Sequence, residues 1–460
     1  KRAAKELSPE EKLQQALVPV EEQSYLVPEN WCWVRLGSLL NEIKNGTTIK
    51  QDKSGSGYWV TRIESLQNQT IDFNRLGSIV NGCDIKDTDW YMAGDIALSH
   101  INSADHVGKT ALINADMLPL VHGMNLLRLR FNESCIPTFF QYYSQSFQYK
   151  EEILARINMA VNQVSINQKQ LRSLEFPLPP LPEQHRIVFR IESLFSKLDE
   201  AKEKAQAVVD GFELRKSAIL HKAFTGELTE RWRKENGVGL DSWEVKSLME
   251  VASLQTGLMK GKRYEGKTVF LPYLRVANVQ DGFLDLTEIK EIEVSPSNIA
   301  RYSLKRGDVL FTEGGDFDKL GRGTVWEEEI PNCLHQNHIF VVRPNESVLN
   351  SYFLSFQAGS KYGKAYFLGC SKQTTNLASI NSTQLKGFPV KLPSLEEQME
   401  IVSTITNLLN IEGHAKEAAE AVLSRIDTMK KAILARAFRG ELGTNDPAEE
   451  WAGEMVKAVL

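Results

Sequence analysis

The chain has little cysteine, no long apolar run and no excess of positive charge. Its five cysteines (Cys32, Cys83, Cys135, Cys333 and Cys370) are dispersed and form no C-x-x-C pair. That spacing excludes a disulfide framework and reads as reduced thiols of a cytosolic protein. No segment approaches the roughly 20 apolar residues that a membrane helix needs. The opening residues, Lys1-Arg-Ala-Ala-Lys-Glu6, carry charge and no apolar h-region, so no secretory signal is expected. Net charge is −5. A non-specific nucleic-acid binder is strongly basic, so any contact with DNA has to come from local patches or be shared with a partner.

Catalytic signatures are missing too. Val107-Gly-Lys-Thr110 resembles the end of a P-loop, but Ser103 stands where the motif needs its first glycine. The matching stretch Leu320-Gly-Arg-Gly323 lacks the lysine, so both read as turns. His335-Gln-Asn-His338 offers two nitrogen ligands and no third group nearby, which favours hydrogen-bonding histidines over a metal site. There is no G-x-S-x-G, no Asn-Pro-Pro-aromatic tetrapeptide and no nuclease carboxylate–lysine constellation. These absences favour a binding protein over an enzyme.

What is present is a repeat. Lys216-Ser-Ala-Ile-Leu-His-Lys-Ala-Phe-Thr-Gly-Glu-Leu228 and Lys430-Lys-Ala-Ile-Leu-Ala-Arg-Ala-Phe-Arg-Gly-Glu-Leu442 agree at nine of 13 positions, where average composition gives about one match. At the same offset, Leu181-Pro-Glu-Gln184 matches Leu395-Glu-Glu-Gln398, and Ser165-Ile-Asn167 matches Ser379-Ile-Asn381. One residue of slip earlier, Asn132-Glu-Ser134 matches Asn345-Glu-Ser347, Gly94-Asp95 matches Gly307-Asp308, and Arg62 matches Arg275. A chain of 460 residues that is 42% hydrophobic and 25% charged has room for several globular domains.

The fold class expected is α+β: two tandem globular domains separated by two long helices that form an antiparallel coiled coil, a dumbbell with approximate two-fold symmetry. The boundaries are an N-terminal helical segment 1–27, a first domain 28–179, a helix 180–226, a linker 227–240, a second domain 241–393, a helix 394–440 and a tail 441–460. Strands are signalled by runs such as Tyr58–Ile63 and His338–Arg343, helices by Thr138–Arg156 and Ser351–Lys364. The long helices open on Pro180-Leu-Pro-Glu183 and on the capping box Ser394-Leu-Glu-Glu397, and stop at Gly226 and Gly440. About 40 residues at 1.5 Å each give roughly 60 Å of helix. Heptad positions fall at Ile187, Ile191, Leu194, Leu198, Ala201, Ala205, Val208 and Phe212 in the first. In the second they fall at Ile401, Ile405, Leu408, Ala415, Ala419, Val422, Ile426, Met429 and Ile433, broken by Glu412. Each stripe needs a partner, and the other helix of the same chain is the nearest one.

The two Leu-x-Glu-Gln helix starts, the two Ala-Ile-Leu-x-x-Ala-Phe-x-Gly-Glu-Leu helix ends and the opening Pro28-Glu-Asn-Trp31 with Trp33-Val-Arg-Leu-Gly37 together resemble the specificity subunit of type I restriction-modification complexes. The resemblance runs from about Pro28 to Trp451. It implies two target-recognition domains, each reading half of a split asymmetric DNA site, with the helices as a ruler. It implies two adenine-N6 methyltransferase subunits docked on helices and domains, and restriction subunits beyond them. It also implies that S-adenosylmethionine, ATP and Mg belong to those partners and none to this chain, and that the complex works in a prokaryotic cytoplasm. In this family the termini close the circle between the copies, so the capping box Ser8-Pro-Glu-Glu11 and the amphipathic tail are expected to pack near each other.

Base readout needs polar side chains on loops that enter a groove. Loops whose polar content differs between matched strands are the candidates. The first is Lys44–Lys50, with Thr47, Thr48 and Lys50, against Thr256–Arg263, with Lys260, Lys262 and Arg263. The second is Ser99–Ser103, with His100 and Asn102, against Thr312–Asp316, with Glu313; Lys109 and Arg322 sit in the turns that follow. The third is Arg156–Gln163, with Asn158 and Asn162, against Ser371–Asn376, with Lys372, Gln373, Thr374 and Asn376. Arg62 and Arg275 occupy a shared position, which suits a phosphate contact or a structural ion pair. Partner contacts are expected at Ile187, Ile191, Leu194, Phe224, Ile401, Ile405, Leu408 and Phe438. Both globular parts are nearly neutral, so tight DNA binding is expected only with the partners. The competing reading is a coiled-coil scaffold whose end domains bind protein or glycan.

Overall fold

The computed structural model describes residues 7–52, 56–80, 82–160, 163–259, 266–315, 320–373 and 378–460. It divides into two compact units, Lys1–Lys204 with Val422–Leu460, and Ala205–Ala421. Both long helices are therefore shared between the units, and each unit has the same internal plan.

In the first unit a four-stranded antiparallel sheet runs in the order Leu40–Asn45, Leu126–Phe131, Ile96–Ser99, Thr110–Leu112. Alternate residues of a strand point to opposite faces, and both faces here are covered. Ile96, Leu98, Leu127 and Leu129 enter the larger core, while Ala97, Ala111 and Leu126 enter a smaller one on the other side. The second unit repeats this with Ala252–Thr256, Ile339–Pro344, Val309–Thr312 and Gly323–Val325. Val309, Phe311, Phe340 and Val342 face one core, and Leu310, Ile339 and Val341 the other. A two-stranded pair closes each domain, Cys32–Arg35 with Glu175–Leu178 and Glu244–Ser247 with Pro389–Leu392.

The helical stretches after the sheet are each broken once: Pro137–Tyr143 and Phe147–Leu154 in the first unit, Ser351–Gly359 and Lys361–Cys370 in the second. Ser146 and Ser360 cause the breaks. Their hydroxyls accept from the amides of Tyr149 and Gly363, capping the second helix of each pair. The strand expected over Tyr58–Ile63 ends at Val60, and a 3-10 turn Ile63–Ser65 follows.

The first long helix is Leu181–Asp210 continued by Phe212–Phe224, loosened at Gly211; the second, Leu395–Ala437, is unbroken for 43 residues. Gly226 and Gly440 stop them with φ of +82° and +73°. Within each unit the two helical segments run antiparallel. In the first, Asp199 pairs with Lys430 at 2.6 Å, and further along Ile187 and Ile191 share a core with Leu434 and Phe438. In the second, Arg215 pairs with Glu412 at 2.5 Å, and Phe224 shares a core with Ile401 and Ile405.

The seam of the second helix departs from the expected stripe. Ala419 and Ile426 are buried, but Ala415, Val422 and Met429 are exposed. The intervening positions are Lys416, Leu423 and Lys430, one residue later, and all three are partly buried. The Lys416 ammonium lies 4.9 Å from the centre of the Phe212 ring, and that of Lys430 lies 5.0 Å from Phe195. A seam position filled by a cation over an aromatic face does not register as hydrophobic, which is why the pattern misread it.

The expected partner-contact residues also need correction. Ile187, Ile191, Ile401 and Ile405 are 0% exposed, Phe438 1% and Phe224 2%. They are core residues of their own units, closed to a second polypeptide; Leu194 and Leu408 are half-buried. Phe438 stacks edge-on to Phe139 at 5.3 Å, and Phe224 to Phe353 at 5.4 Å. Each helix-end motif thus plugs the globular domain that its helix does not follow in sequence.

The helix-start motifs have an equally concrete role. The buried Gln184 donates to the carbonyls of Ser134 and Pro179 and accepts from the amide of Ile136. Gln398 does the same for Val348, Pro393 and Asn350. Only half of the capping box at Ser394 forms: Ser394 Oγ accepts from Glu397 N at 3.3 Å. The Glu397 carboxylate is drawn off by Thr229, Arg233 and Trp243. Glu183 likewise takes Thr444 and Arg186, and burial raises its pKa.

The termini meet as expected. Helix Pro9–Ala16, with its complete capping box at Ser8, packs on helix Ala452–Val459 through Leu13, Ala16, Ala452 and Val456. Lys12 Nζ donates to Leu460 O at 2.6 Å and Lys457 pairs with Glu10 at 2.9 Å. Among the described residues no helix is long and apolar enough to cross a membrane.

Candidate nucleic-acid interface

The three candidate loops of each domain are brought together by backbone pairing. In the first unit Ile101–Asn102 pairs with Gln163–Ser165, which pairs with Asn158–Ala160, so the second and third loops form one small sheet. The first loop joins through the turn that follows Val121: Thr47 N donates to His122 O at 2.8 Å, and Gly46 N donates to Leu126 O at 3.3 Å. A Cβ on Gly46 would fall 1.8 Å from Gly123 O, so only glycine admits this approach. The same turn reaches the second loop, where the Asn125 backbone bonds to the His100 ring.

The second unit repeats each step. Gly314–Gly315 pairs with Ala378–Ser379, which pairs with Lys372–Gln373. Leu258 N donates to His335 O at 2.9 Å, and a Cβ on Gly257 would collide with His335 O and Gln336 O. Ile166 N donates to His100 O, and Ile380 N to Glu313 O. These bonds equate His100 with Glu313, and the shared offset equates Asn125 with His338.

The supports of this surface are conserved between the units although its side chains are not. Asp95 takes two bonds from Arg130, both 2.8 Å, and Asp308 takes two from Arg343, both 2.7 Å. Asp95 Oδ2 also accepts from Met92 N and Asp308 Oδ2 from Lys305 N, holding the turns at Gly94 and Gly307, whose φ are +91° and +85°. The repeated Ser-Ile-Asn is a helix start: Asn167 and Asn381 each form a reciprocal capping box with Gln170 and Gln384. His122 and His335 are core residues. Their ring nitrogens bond to the carbonyls of Leu126 and Tyr302, and burial pushes their pKa values down to about 3 and about 4. His335 is thus a hydrogen-bonding histidine, as its sequence context favoured. Gly108 and Gly321 both adopt positive φ, so the P-loop look-alikes are turns.

Thr48, Lys50, Lys109 and Asn158 are exposed. Thr47 is buried, and Asn102 is tied to Ser99 and Ser103. His100 is half-buried, and burial lowers its pKa. In the second unit Glu313 and His338 face each other at 2.5 Å on the surface, Arg322 donates to Gln280 at 2.8 Å, and Lys372 is exposed. Asn162, Lys260, Lys262, Arg263, Thr374 and Asn376, and the side chain of Gln373, lie outside the described residues. Arg62 pairs with Glu64 and Arg275 with Glu288, each at 3.2 Å. The shared arginine therefore has an ion-pair partner in both units.

Sequence reasoning missed Asn125, His338 and the Asp–Arg supports. In the sequence His338 stands in a two-histidine motif at the start of a strand run; its match to Asn125 at the common offset was the available signal. Arg128 was missed too. It lies buried in the first sheet, bound to Glu42 and to the carbonyls of Thr88 and Trp90, and Val341 takes its place in the second unit.

The model of the family described as "type I restriction modification DNA specificity domain" matches residues 28–209 and again 241–421. A putative type I restriction enzyme MjaX specificity subunit of Methanocaldococcus jannaschii is 29% identical over 416 residues, 87% of this chain and 92% of that one. The EcoKI specificity subunit of Escherichia coli K12 is 25% identical over 92% of this chain and 91% of its own length. The crystal structure of the HsdS subunit from Thermoanaerobacter tengcongensis superposes with a TM-score of 0.65 at 20% identity, covering 92% of this chain and all of that one. With two copies of the family domain occupying most of its length, the chain belongs to the type I restriction-modification DNA specificity family.

Proposed function

We propose that this chain reads a bipartite, asymmetric DNA site for a type I restriction-modification complex and positions the adenine-N6 methyltransferase and restriction subunits on it. One observation carries the reading: the two units hold matching loops on matching supports, yet at equivalent positions one presents His100 and Asn125 and the other Glu313 and His338. A shared frame with different donors and acceptors suits two half-sites of different sequence. Glutamate accepts from the cytosine amino group, whereas lysine, asparagine and threonine read other edges. The exposed Lys50 of the first loop supplies a phosphate or base contact, and the long helices set the spacing between half-sites. The scaffold alternative has no such observation behind it.

The chain itself performs no chemistry in this proposal and works in the cytoplasm. S-adenosylmethionine, ATP and Mg are bound by the partners. Methylation of adenine N6 requires the base to leave the duplex, so the enzyme has to be held beside one defined base. The test is to reconstitute the chain with its methyltransferase subunit and sequence the modified positions in random DNA. Modification confined to one split site is expected, with Glu313→Gln altering the preference at a position of one half only. Methyl transfer by the chain alone, or a Glu313→Gln complex that changes both halves equally, would overturn the reading.

A further inference from the structure

The two units differ at one surface for which the first supplies its own template. In the first unit the outer edge of strand Cys32–Arg35 is covered by the N-terminal arm. Leu17 bridges to Val34 and Val18 N donates to Trp33 O at 2.9 Å. Further along, the Tyr25 ring stands edge-on to Trp33 at 4.8 Å, and its hydroxyl donates to Phe438 O, the carbonyl at the end of the long helix, at 3.0 Å. Glu22 pairs with Arg35 at 2.8 Å. Under this cover Trp33 is 1% exposed and Val34 0%.

In the second unit the matching strand, Glu244–Ser247, pairs with Pro389–Leu392 on one side; among the described residues no segment pairs with its other edge. Val245, which replaces Trp33, is 64% exposed, and the nearby Leu240 is 49% exposed. Beside Phe224, the helix-end residue that matches Phe438, there is a cavity of about 230 Å³ lined by Phe224, Tyr362, His221, Lys361 and Lys391. Lys391 Nζ takes over the bond to the helix-end carbonyl, that of Phe224, at 2.9 Å. Among the described residues the segments that could cover this edge are committed elsewhere. The N-terminal arm is used in the first unit, and the link after Gly226 is spent on helix Glu230–Asn236 and the turn Leu240–Ser242.

We infer that the open edge of Glu244–Ser247 and the adjoining basic pocket dock an extended segment of a partner polypeptide that brings an aromatic ring and at least one carboxylate. The strand edge supplies backbone hydrogen bonds, as in strand addition. The pocket supplies an aromatic-sized hole, and the ammonium of the exposed Lys361 supplies the complement to an acidic residue. An edge strand with exposed apolar side chains is otherwise an aggregation liability. Because the occupant is a subunit of the same complex, the inference rests on the function proposed above.

The experiment places the photo-crosslinker p-benzoylphenylalanine at position 245 of the full chain, reconstituted with its methyltransferase subunit and, separately, with the restriction subunit added. Site-specific modification by the complex is checked first, so failure of the functional proposal shows as loss of modification, independently of any crosslink. The expected result is a crosslink to one segment of a partner that carries an aromatic and an acidic residue. A crosslink that needs the restriction subunit supports the inference and assigns the segment to it. Lys361→Glu, on an exposed side chain, is expected to lower crosslinking at least fivefold. A fully active complex with no partner crosslink, a crosslink to a basic or helical segment, or no effect of Lys361→Glu overturns the inference.

Discussion

Replacing Gln398 by leucine tests the claim that the helix-start motif is structural. The side chain is 0% exposed, and its amide satisfies three backbone groups: Val348 O and Pro393 O as donor, Asn350 N as acceptor, each at 2.9 Å. Leucine keeps much of the volume and makes none of these bonds. A buried backbone group left without a partner costs about 1–3 kcal/mol, so the loss is about 2–6 kcal/mol if water reaches one of the three. That is a large part of the roughly 5–15 kcal/mol that holds a domain. Asn350 also caps helix Ser351–Gly359, so damage should spread into the core beneath the second sheet. The assay is hydrogen exchange by mass spectrometry across a urea series, which resolves the two units without assuming one cooperative transition. Peptides from 205–421 should lose protection at lower urea while those from the first unit hold. Gln184→Leu should give the mirror result. A loss below about 1 kcal/mol, or equal loss in both units, would refute the reasoning.

Phe438→Ala should destabilise the first unit by about 3–5 kcal/mol, the usual cost of emptying a buried aromatic site, and leave the second unit unchanged in the same exchange assay. His335 has a folded pKa of about 4, set first by burial, against an ordinary 6.5. A depressed histidine contributes stability that is full above pH 6.5 and is lost as pH falls toward 4, on the order of 3 kcal/mol. His335→Gln should flatten the second unit's urea midpoint across that window, and an unchanged slope would count against it. Arg62→Ala should leave the salt dependence of DNA binding by the assembled complex unchanged, because Glu64 already holds the guanidinium; a slope lower by about 1 would reassign it to a phosphate.

Part of the site was legible because duplication preserves spacing. The loops found by comparing matched stretches are the ones that backbone pairing gathers. The repeated Asp95 and Asp308 stood out, but their pairing with arginine did not, because Asp95 and Arg130 lie 35 positions apart and meet only across a sheet. The seam beyond Glu412 was misread because Lys416 and Lys430 hide their charge over aromatic rings. The helix-end phenylalanines looked like partner contacts because exposure cannot be read from an apolar residue in a helix.

The sequence by itself determined the duplication, the two long helices with their glycine stops and the family, since these depend on local periodicity, capping chemistry and repeated spacing; the meeting of the termini followed from the family resemblance. Tertiary structure alone decided which domain each helix end plugs, where the Glu183 and Glu397 carboxylates go, and that one strand edge is covered while its twin has no partner among the described residues. Those outcomes depend on groups distant in sequence competing for the same buried partner or the same open edge, and no local pattern encodes which of them arrives.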